Sequence, residues 1–370
     1  GLLGLGVFLT LATGSRMALL QGLRRVGDLA RVNIIGSIVG ASAGILLIYM
    51  LGNEGVLWFV LTAPAANIIV AQVYVARLRY THISGDWLVV YRQLKIMFKI
   101  GMPLMLAAML TLGTQLVART LILDELGVNA AGYFQAAWTV SMLYLGFILS
   151  AMGSDYYPHL TGIIGDHKHA IRLVNQQMEM ALLLAGPVLL AMITLAPWVI
   201  RLLYSDDFLP ASMLLRWQVL GDVLKIVAWP MGFVVLAKGR SDVFVLTQLS
   251  WNAVYLFFLW YGLKEIGLVA AGIGFFVAYV VYAIVEWIVA GKLIGFSVDV
   301  HNVWMAVVLL VSGWCIVFLL DVSMIVSLSA GVVSTLLVAI YNINRLNKLM
   351  DMRDWVRARS ERPNITRLDR

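Results

Sequence analysis

Ten apolar runs follow one another along this chain, at 32–51, 56–76, 97–122, 129–152, 179–203, 213–237, 243–262, 267–291, 303–320 and 323–343, after an apolar opening at 1–20. About twenty helical residues cross the ~30 Å hydrocarbon layer of a bilayer. A helix also satisfies its own backbone groups, which lipid cannot do for it. The runs therefore predict an all-α polytopic membrane protein. They exclude an outer-membrane barrel, whose strands alternate apolar and polar positions. Only 13% of the residues are charged and 61% are hydrophobic, whereas about a quarter of a soluble domain is charged. The lone cysteine, Cys315, lies inside an apolar run, which leaves no internal disulfide and no cysteine metal cluster.

The linkers sort by charge. One alternating set, together with the tail, holds 22 of the 27 basic residues, from Arg16, Arg24, Arg25 and Arg31 through Lys168, Lys238 and Lys292 to Arg345 and Lys348. The other set holds Arg201 and Lys264 against acids that include Glu54, Asp124, Glu125, Asp206, Asp207 and Glu265. Positive linkers stay inside, so the C-terminus is expected in the cytoplasm. Within 82–99, Trp87, Leu88, Tyr91, Leu94 and Phe98 recur at helical spacing while Arg92, Lys95 and Lys99 fall on another side, the pattern of a helix lying in the interface.

Gly22 and Gly239 each close an apolar run before a short basic turn, and Gly55 and Gly272 begin the next helix, both pairs 217 residues apart. Two copies crossing in the same sense predict a two-bundle transporter fold with parallel repeats. The expected divisions are the C-terminal part of a first bundle at 1–80, a cytoplasmic interfacial linker helix at 81–99 and a second bundle at 100–295. Two additional transmembrane helices at 296–343 and a basic cytoplasmic tail at 344–370 complete them. Gly1 is not a start methionine, and the opening residues read as a helix already under way, so about three N-terminal helices are expected to be missing.

The run within Leu214–Gly239 carries Asp222 and Lys225 near its middle. Charge at that depth costs a few kcal/mol unless a partner, water or a ligand answers it. Three residues apart on a helix, the two share a face and can neutralise each other. Gly221 allows a close neighbour and Pro230 a bend. This helix is expected to wall a polar cavity.

The same stretch, with Arg216-Trp217-Gln218, Gly221-Asp222, Leu224-Lys225 and Ala237-Lys238-Gly239, resembles the Wzx-type flippases of O-antigen and enterobacterial common antigen, within the multidrug/oligosaccharidyl-lipid/polysaccharide exporter superfamily. Leu126-Gly127, Ala131-Gly132-Tyr133-Phe134-Gln135-Ala136 and Tyr157-Pro158-His159-Leu160 match a second family pattern, and Gln21-Gly22 fits as well. Phe134-Gln135 stands where the family often reads Trp-Gln, a departure that bears on glycan preference. The resemblance covers most of 1–295. It implies an inner-membrane flippase that carries an undecaprenyl-pyrophosphate-linked oligosaccharide from the cytoplasmic to the periplasmic leaflet by alternating access. It implies no cofactor, proton or sodium coupling as a candidate drive, and the pathway's polymerase and assembly proteins as partners.

Such a substrate calls for cations in a dehydrated cavity. Lys225 and Arg119 are the candidates, with Gln115 one turn before Arg119, Gln218 one turn before Asp222, and Asp222 as tuning or coupling acid. Each has a plainer reading: Arg119 snorkelling to the interface, Lys225 and Asp222 as a permanent structural pair. Arg216, near a helix end, is expected at the interface. Glu286 is a candidate coupling residue or a satisfied interfacial acid. Asp155 is a candidate entrance residue or a helix-end polar group. A cation-coupled drug exporter of the same superfamily is the alternative within transport, and it would want acids in the cavity. A membrane-embedded glycosyltransferase or polymerase is the alternative of another class, and it would want a large periplasmic loop with catalytic carboxylates. No ATP-binding P-loop, zinc-protease or nucleophile-elbow motif occurs. The basic residues follow topology, so nothing points to nucleic acid.

Overall fold

The computed structural model describes residues 2–23, 25–78, 87–319 and 323–360; Arg24, the linker at 79–86 and the end of the tail lie outside the described residues. The described elements are the helices α1 (Leu2–Gly22), α2 (Val26–Leu51), α3 (Gly55–Ala76), α4 (Trp87–Ile163), α5 (His167–Leu203), α6 (Ala211–Ala237), α7 (Ser241–Ile266), α8 (Val269–Ile294), α9 (Val300–Leu319) and α10 (Met324–Ser360), with short 3-10 turns at Gly52–Glu54 and Asp206–Phe208. Among the described residues, each of the ten apolar runs falls on a helix to within two residues at its ends. Eight stretches are long and apolar enough to cross a membrane, and two of these, Gly27–Ala76 and Gly101–Ser150, have 50 residues each. Fifty residues of straight helix would span about 75 Å, more than twice the hydrocarbon. Each stretch instead folds back at a glycine with positive φ, Gly52 at 58° and Gly127 at 82°.

The chain forms two compact units, Gly1–Val90 and Tyr91–Arg370. In the first, α3 packs on α2 and α1. In the second, α6 is central: 18 of its 27 residues are buried, against α5, α8 and α9. Two glycines bring α6 and α8 together reciprocally. A Cβ on Gly221 would lie 2.6 Å from Phe275, and one on Gly272 would lie 2.7 Å from Trp217. At the start of α5 the Asp166 side chain accepts the His169 N–H at 3.1 Å and meets the His169 ring at 2.7 Å. The ring contact, then the backbone one, holds its carboxyl below the usual carboxylate range.

The repeat is visible in the backbone. Helices α2 and α7 are both 26 residues long and begin 215 residues apart. The residue before each has nearly the same backbone, Arg25 at φ −83°, ψ 62° and Arg240 at φ −89°, ψ 65°, and so has the glycine after each, Gly52 and Gly267. The glycine match gave 217 because its glycines do not hold equivalent positions: Gly22 is the last residue of α1 whereas Gly239 lies two residues past the end of α6, and Gly55 begins α3 whereas Gly272 lies three residues inside α8. In the 215 register the two copies fill their helix contact differently. Helix α2 presents Gly36, Gly40 and Gly44 to Asn67, Ala63 and Phe59 of α3. The corresponding positions are Trp251, Tyr255 and Leu259 on α7 and Tyr282, Ala278 and Gly274 on α8.

Helix α5 contains Pro187 and Pro197. A proline within a helix has no N–H for the carbonyl four residues before it, which here means Leu183 and Ile193. Both carbonyls are answered from neighbouring helices: Asn342 Nδ2 donates to Leu183 at 2.8 Å and Arg216 Nε to Ile193 at 3.0 Å. Arg216 is therefore buried, 6% exposed, and not the interfacial cation expected; the orphaned carbonyl draws it inward. A buried carbonyl left unmet costs about 1–3 kcal/mol. Asn342→Leu should lower the unfolding temperature of the purified protein by that cost, and much less in a Pro187→Ala background, where the backbone N–H is restored. Equal losses in both backgrounds would mean that Asn342 stabilises through something other than this carbonyl.

Candidate functional site

Asp222 is fully buried. Its Oδ2 accepts two hydrogen bonds, from Ser141 Oγ and Tyr144 Oη, each at 2.7 Å. Both hydroxyls belong to α4 beyond the Gly127 break, three residues apart and hence on one helix face. Its Oδ1 makes no hydrogen bond and lies 4.0 Å from Lys225 Nζ. The carboxylate is thus held mainly by the two hydroxyls, and the ammonium is only a looser counter-charge.

The Lys225 side chain is 20% exposed. Its Nζ meets Met142 Sδ at 3.5 Å and stands 5.8 Å from the centroid of the Tyr279 ring. A thioether is a weak acceptor and an ammonium has three donors, while the ring face attracts a cation without a directed bond. Lys225 therefore keeps donors to spare. It faces a cavity of about 370 Å³ lined by Leu104 and Thr111, Trp138 and Met142, Trp229, Gly232, Phe233 and Leu236, Phe244, Gln248 and Trp251, and Tyr279 and Tyr282. Lys225 is the charged side chain among these lining residues. Trp138, Trp251, Tyr255, Phe275 and Tyr279 form a connected aromatic cluster, with Trp251 stacked on Tyr255 at 5.2 Å.

Glu286 stands immediately behind this wall. It is fully buried, and its oxygens sit beside Tyr282 and Thr247 without a hydrogen bond of normal geometry. A Cβ on Gly232 would lie 3.6 Å from Tyr282 Oη and 3.7 Å from Glu286 Oε1, so two cavity residues separate the acid from the space. Tyr282 Oη in turn accepts from Gln248 Nε2 at 2.9 Å. Glu286 is thus enclosed by protein and not at a helix end, since α8 runs on to Ile294, two turns past it. Gln218 is also fully buried, with neither amide atom hydrogen-bonded.

Arg119 lies elsewhere. Its Nη2 donates to Gln135 Oε1, whose Nε2 donates to Thr139 Oγ1 at 3.0 Å. The two residues flank Gly127 at equal distance in sequence, so the fold-back of α4 sets them opposite each other. Arg119 and Gln115 are outside the cavity lining, although Thr111, on the same face of α4 at intervals of four, belongs to it. Asp155 is exposed. It does not end a helix, since α4 continues to Ile163.

Sequence reasoning missed Ser141, Tyr144, Met142, Tyr279, Tyr282 and Gln248. One signal was present: Tyr279, Tyr282 and Glu286 follow the three-and-four spacing of a single helix face.

The model of a family described as polysaccharide biosynthesis proteins matches residues 1–213. The chain belongs to that family. It is 24% identical over 276 residues to proteins named lipid III flippase in Escherichia coli (strain K12) and Shigella flexneri, covering 72% of this chain and 64% of each relative. It therefore spans slightly under two thirds of these curated relatives. Among solved structures it is similar to a multidrug resistance MATE family transporter of the MOP superfamily in an outward-facing conformation, with a TM-score of 0.67 and 17% identity over 80% of this chain and 68% of that one. It is also similar to the lipid II flippase MurJ in an inward closed conformation, with a TM-score of 0.63 and 14% identity over 92% of this chain and 73% of that one. At these identities the structures establish the fold: this polysaccharide biosynthesis family chain has the helical architecture of MATE and MurJ transporters.

Removing one partner from a buried charged pair costs about 3–5 kcal/mol. Asp222→Ala strips two hydroxyls of their acceptor and an ammonium of its counter-charge, and is expected to lower the unfolding temperature strongly. Asp222→Asn keeps an acceptor oxygen and should cost clearly less. Thermal unfolding of the purified variants in detergent decides it; equal stability of Asp222→Ala and wild type would remove the carboxylate from the framework of the site.

Proposed function

We propose that the protein containing this chain is a flippase that moves an undecaprenyl-pyrophosphate-linked oligosaccharide, an O-antigen or related surface polysaccharide unit, across the bacterial inner membrane by alternating access. The observation that carries the reading is the cavity of about 370 Å³ with aromatic walls and one incompletely answered ammonium, Lys225. Aromatic faces suit sugar rings, and a dehydrated cation suits a pyrophosphate or an acidic sugar. Asp222, fixed by Ser141 and Tyr144, keeps Lys225 in place without using up its donors. Family membership and the names of the relatives favour the same substrate class.

In this reading Arg119, with Gln135, is a second cationic station on α4, and Gln115 lies between it and the cavity-lining Thr111. Glu286, buried behind Gly232 and Tyr282, is a candidate for proton or sodium coupling, since a buried carboxyl with no basic partner among the described residues is answered by gaining a proton or a cation. Asp155 remains a candidate for the cytoplasmic entrance and Gln218 for the interior. The C-terminus is assigned to the cytoplasm from the distribution of basic linkers. Polymerase and assembly proteins of the same pathway are the partners this reading requires. The MATE likeness and the buried Glu286 favour a cation-coupled drug exporter as the second reading. Against it, a cationic drug entering the cavity would meet Lys225 and no lining carboxylate.

The test is complementation of a flippase-null strain by the full-length protein at matched abundance, scored as surface glycan. A hydrogen bond to a charged group contributes about 1.5–3 kcal/mol, so Lys225→Ala should reduce transport about tenfold or more. Arg119→Ala, outside the cavity lining, should reduce it less. Full transport by Lys225→Ala sinks the cationic-cavity reading, and failure of wild type across several glycan pathways moves the drug exporter ahead.

A further inference from the structure

A second cavity, of about 300 Å³, opens between α5, α9 and α10 and has no part in the site above. Its walls are apolar, with Trp304 and Val308 on α9 and Leu337 on α10. These three are 65%, 44% and 63% exposed, so the groove is open along its length to the surrounding lipid. From His301 at its mouth to Val308 is seven helical residues, about 10 Å along the helix axis. Its shape is fixed by Asn342, which binds α10 to the Leu183 carbonyl of α5.

The polar end is distinct from the rest. Glu179 Oε1 accepts Arg345 Nε at 2.8 Å and stands 3.6 Å from His301 Nε2, which makes no hydrogen bond. Arg345 uses one of its donors on Glu179, and its two terminal nitrogens make no hydrogen bond among the described residues. Lys348, one turn further along α10, is exposed and has no acidic partner among the described residues. The sequence continues with Arg353, Arg357 and Arg359 against Asp351 and Asp354, so the positive excess persists. A groove with apolar walls that ends in spare cationic donors has the polarity pattern that suits a phospholipid: an apolar slot for a chain and cations for a phosphate.

We propose that this groove binds an anionic phospholipid of the cytoplasmic leaflet, with one acyl chain along Trp304, Val308 and Leu337 and its phosphate at Arg345 and Lys348. The inference stands apart from the transported substrate: it would hold for a glycan flippase or a drug exporter. Basic residues beside a membrane helix attract anionic headgroups in this way. The lipid would join α10 to α5 from outside and make their packing sensitive to membrane composition.

Native mass spectrometry of the full-length protein in detergent, titrated with phosphatidylglycerol or with phosphatidylcholine of the same acyl chains, reads the affinity for the first retained lipid. Phosphatidylglycerol should bind several-fold more tightly. Lys348→Gln, which touches no ion pair among the described residues, should weaken it about fivefold and leave phosphatidylcholine unchanged. Arg345→Gln should do the same or more, and Val308→Trp, which fills the groove, should abolish the preference at unchanged thermal stability. The proposal is overturned if wild type does not distinguish the two lipids, or if Lys348→Gln and Val308→Trp keep the full preference. It is equally overturned if undecaprenyl phosphate displaces phosphatidylglycerol at lower concentration, which would assign the groove to polyprenyl chains.

Discussion

A carboxylate with no access to water must be answered by donors, and the way Asp222 is answered organises the second unit. Two hydroxyls of α4 converge on one oxygen at 2.7 Å, which fixes the rotation of α4 about its axis relative to α6. The close approach of α6 and α8 at Gly221 and Gly272 then places Tyr279 beside Lys225. Because the hydroxyls have met most of the acid's demand, the ammonium is held in position and still has donors facing the cavity. Had the pair been closed at hydrogen-bond distance with no other donors, the same two residues would have formed a neutral strut.

The individual helices and the polar pair were legible in the sequence. Hydropathy sets the helices, and the three-residue spacing sets the shared face of Asp222 and Lys225. Ser141 and Tyr144 were not legible, since they lie 81 and 78 residues from Asp222, and a serine or threonine hydroxyl in an apolar helix ordinarily satisfies itself on its own backbone. Thr111 and Thr194, bonded to carbonyls four residues back, do so here. The inward setting of Arg216 and Glu286 was not legible, for one reason. Position along an apolar run gives depth and says nothing about which way the residue faces. Arg216 turns inward to a carbonyl that Pro197 leaves unpaired, a demand that exists only once α5 lies beside α6. Arg119 shows the converse limit: its residue type suited the cavity, but the Gly127 fold-back gave it Gln135 as a partner.

The prolines of α5 illustrate how a membrane helix uses a break. Each removes one backbone bond within its own helix and so creates one acceptor that can be met from outside. Arg216 on α6 and Asn342 on α10 meet them at 3.0 Å and 2.8 Å. Neither side chain could be replaced by an apolar residue of similar size without leaving a carbonyl bare in a medium that offers no water. Helix α5 is thereby tied by polar contacts on two sides, where lipid-like packing alone would give little preference for one neighbour over another.

The unequal filling of the two related helix contacts has a historical consequence. At the three matched levels α7 carries Trp251, Tyr255 and Leu259 where α2 carries glycine. The partner helix is smaller only at Gly274 against Phe59; it is unchanged at Ala278 against Ala63 and larger at Tyr282 against Asn67. If both copies descend from one ancestral pair, a swap of side chains across the contact does not account for this difference. A Cβ on Gly40 would collide with the backbone of Ala63, so the spacing of the helices had to change along with the side chains. One half thereby acquired aromatic side chains beside a cavity, and the other a seam of glycines packed to backbone contact.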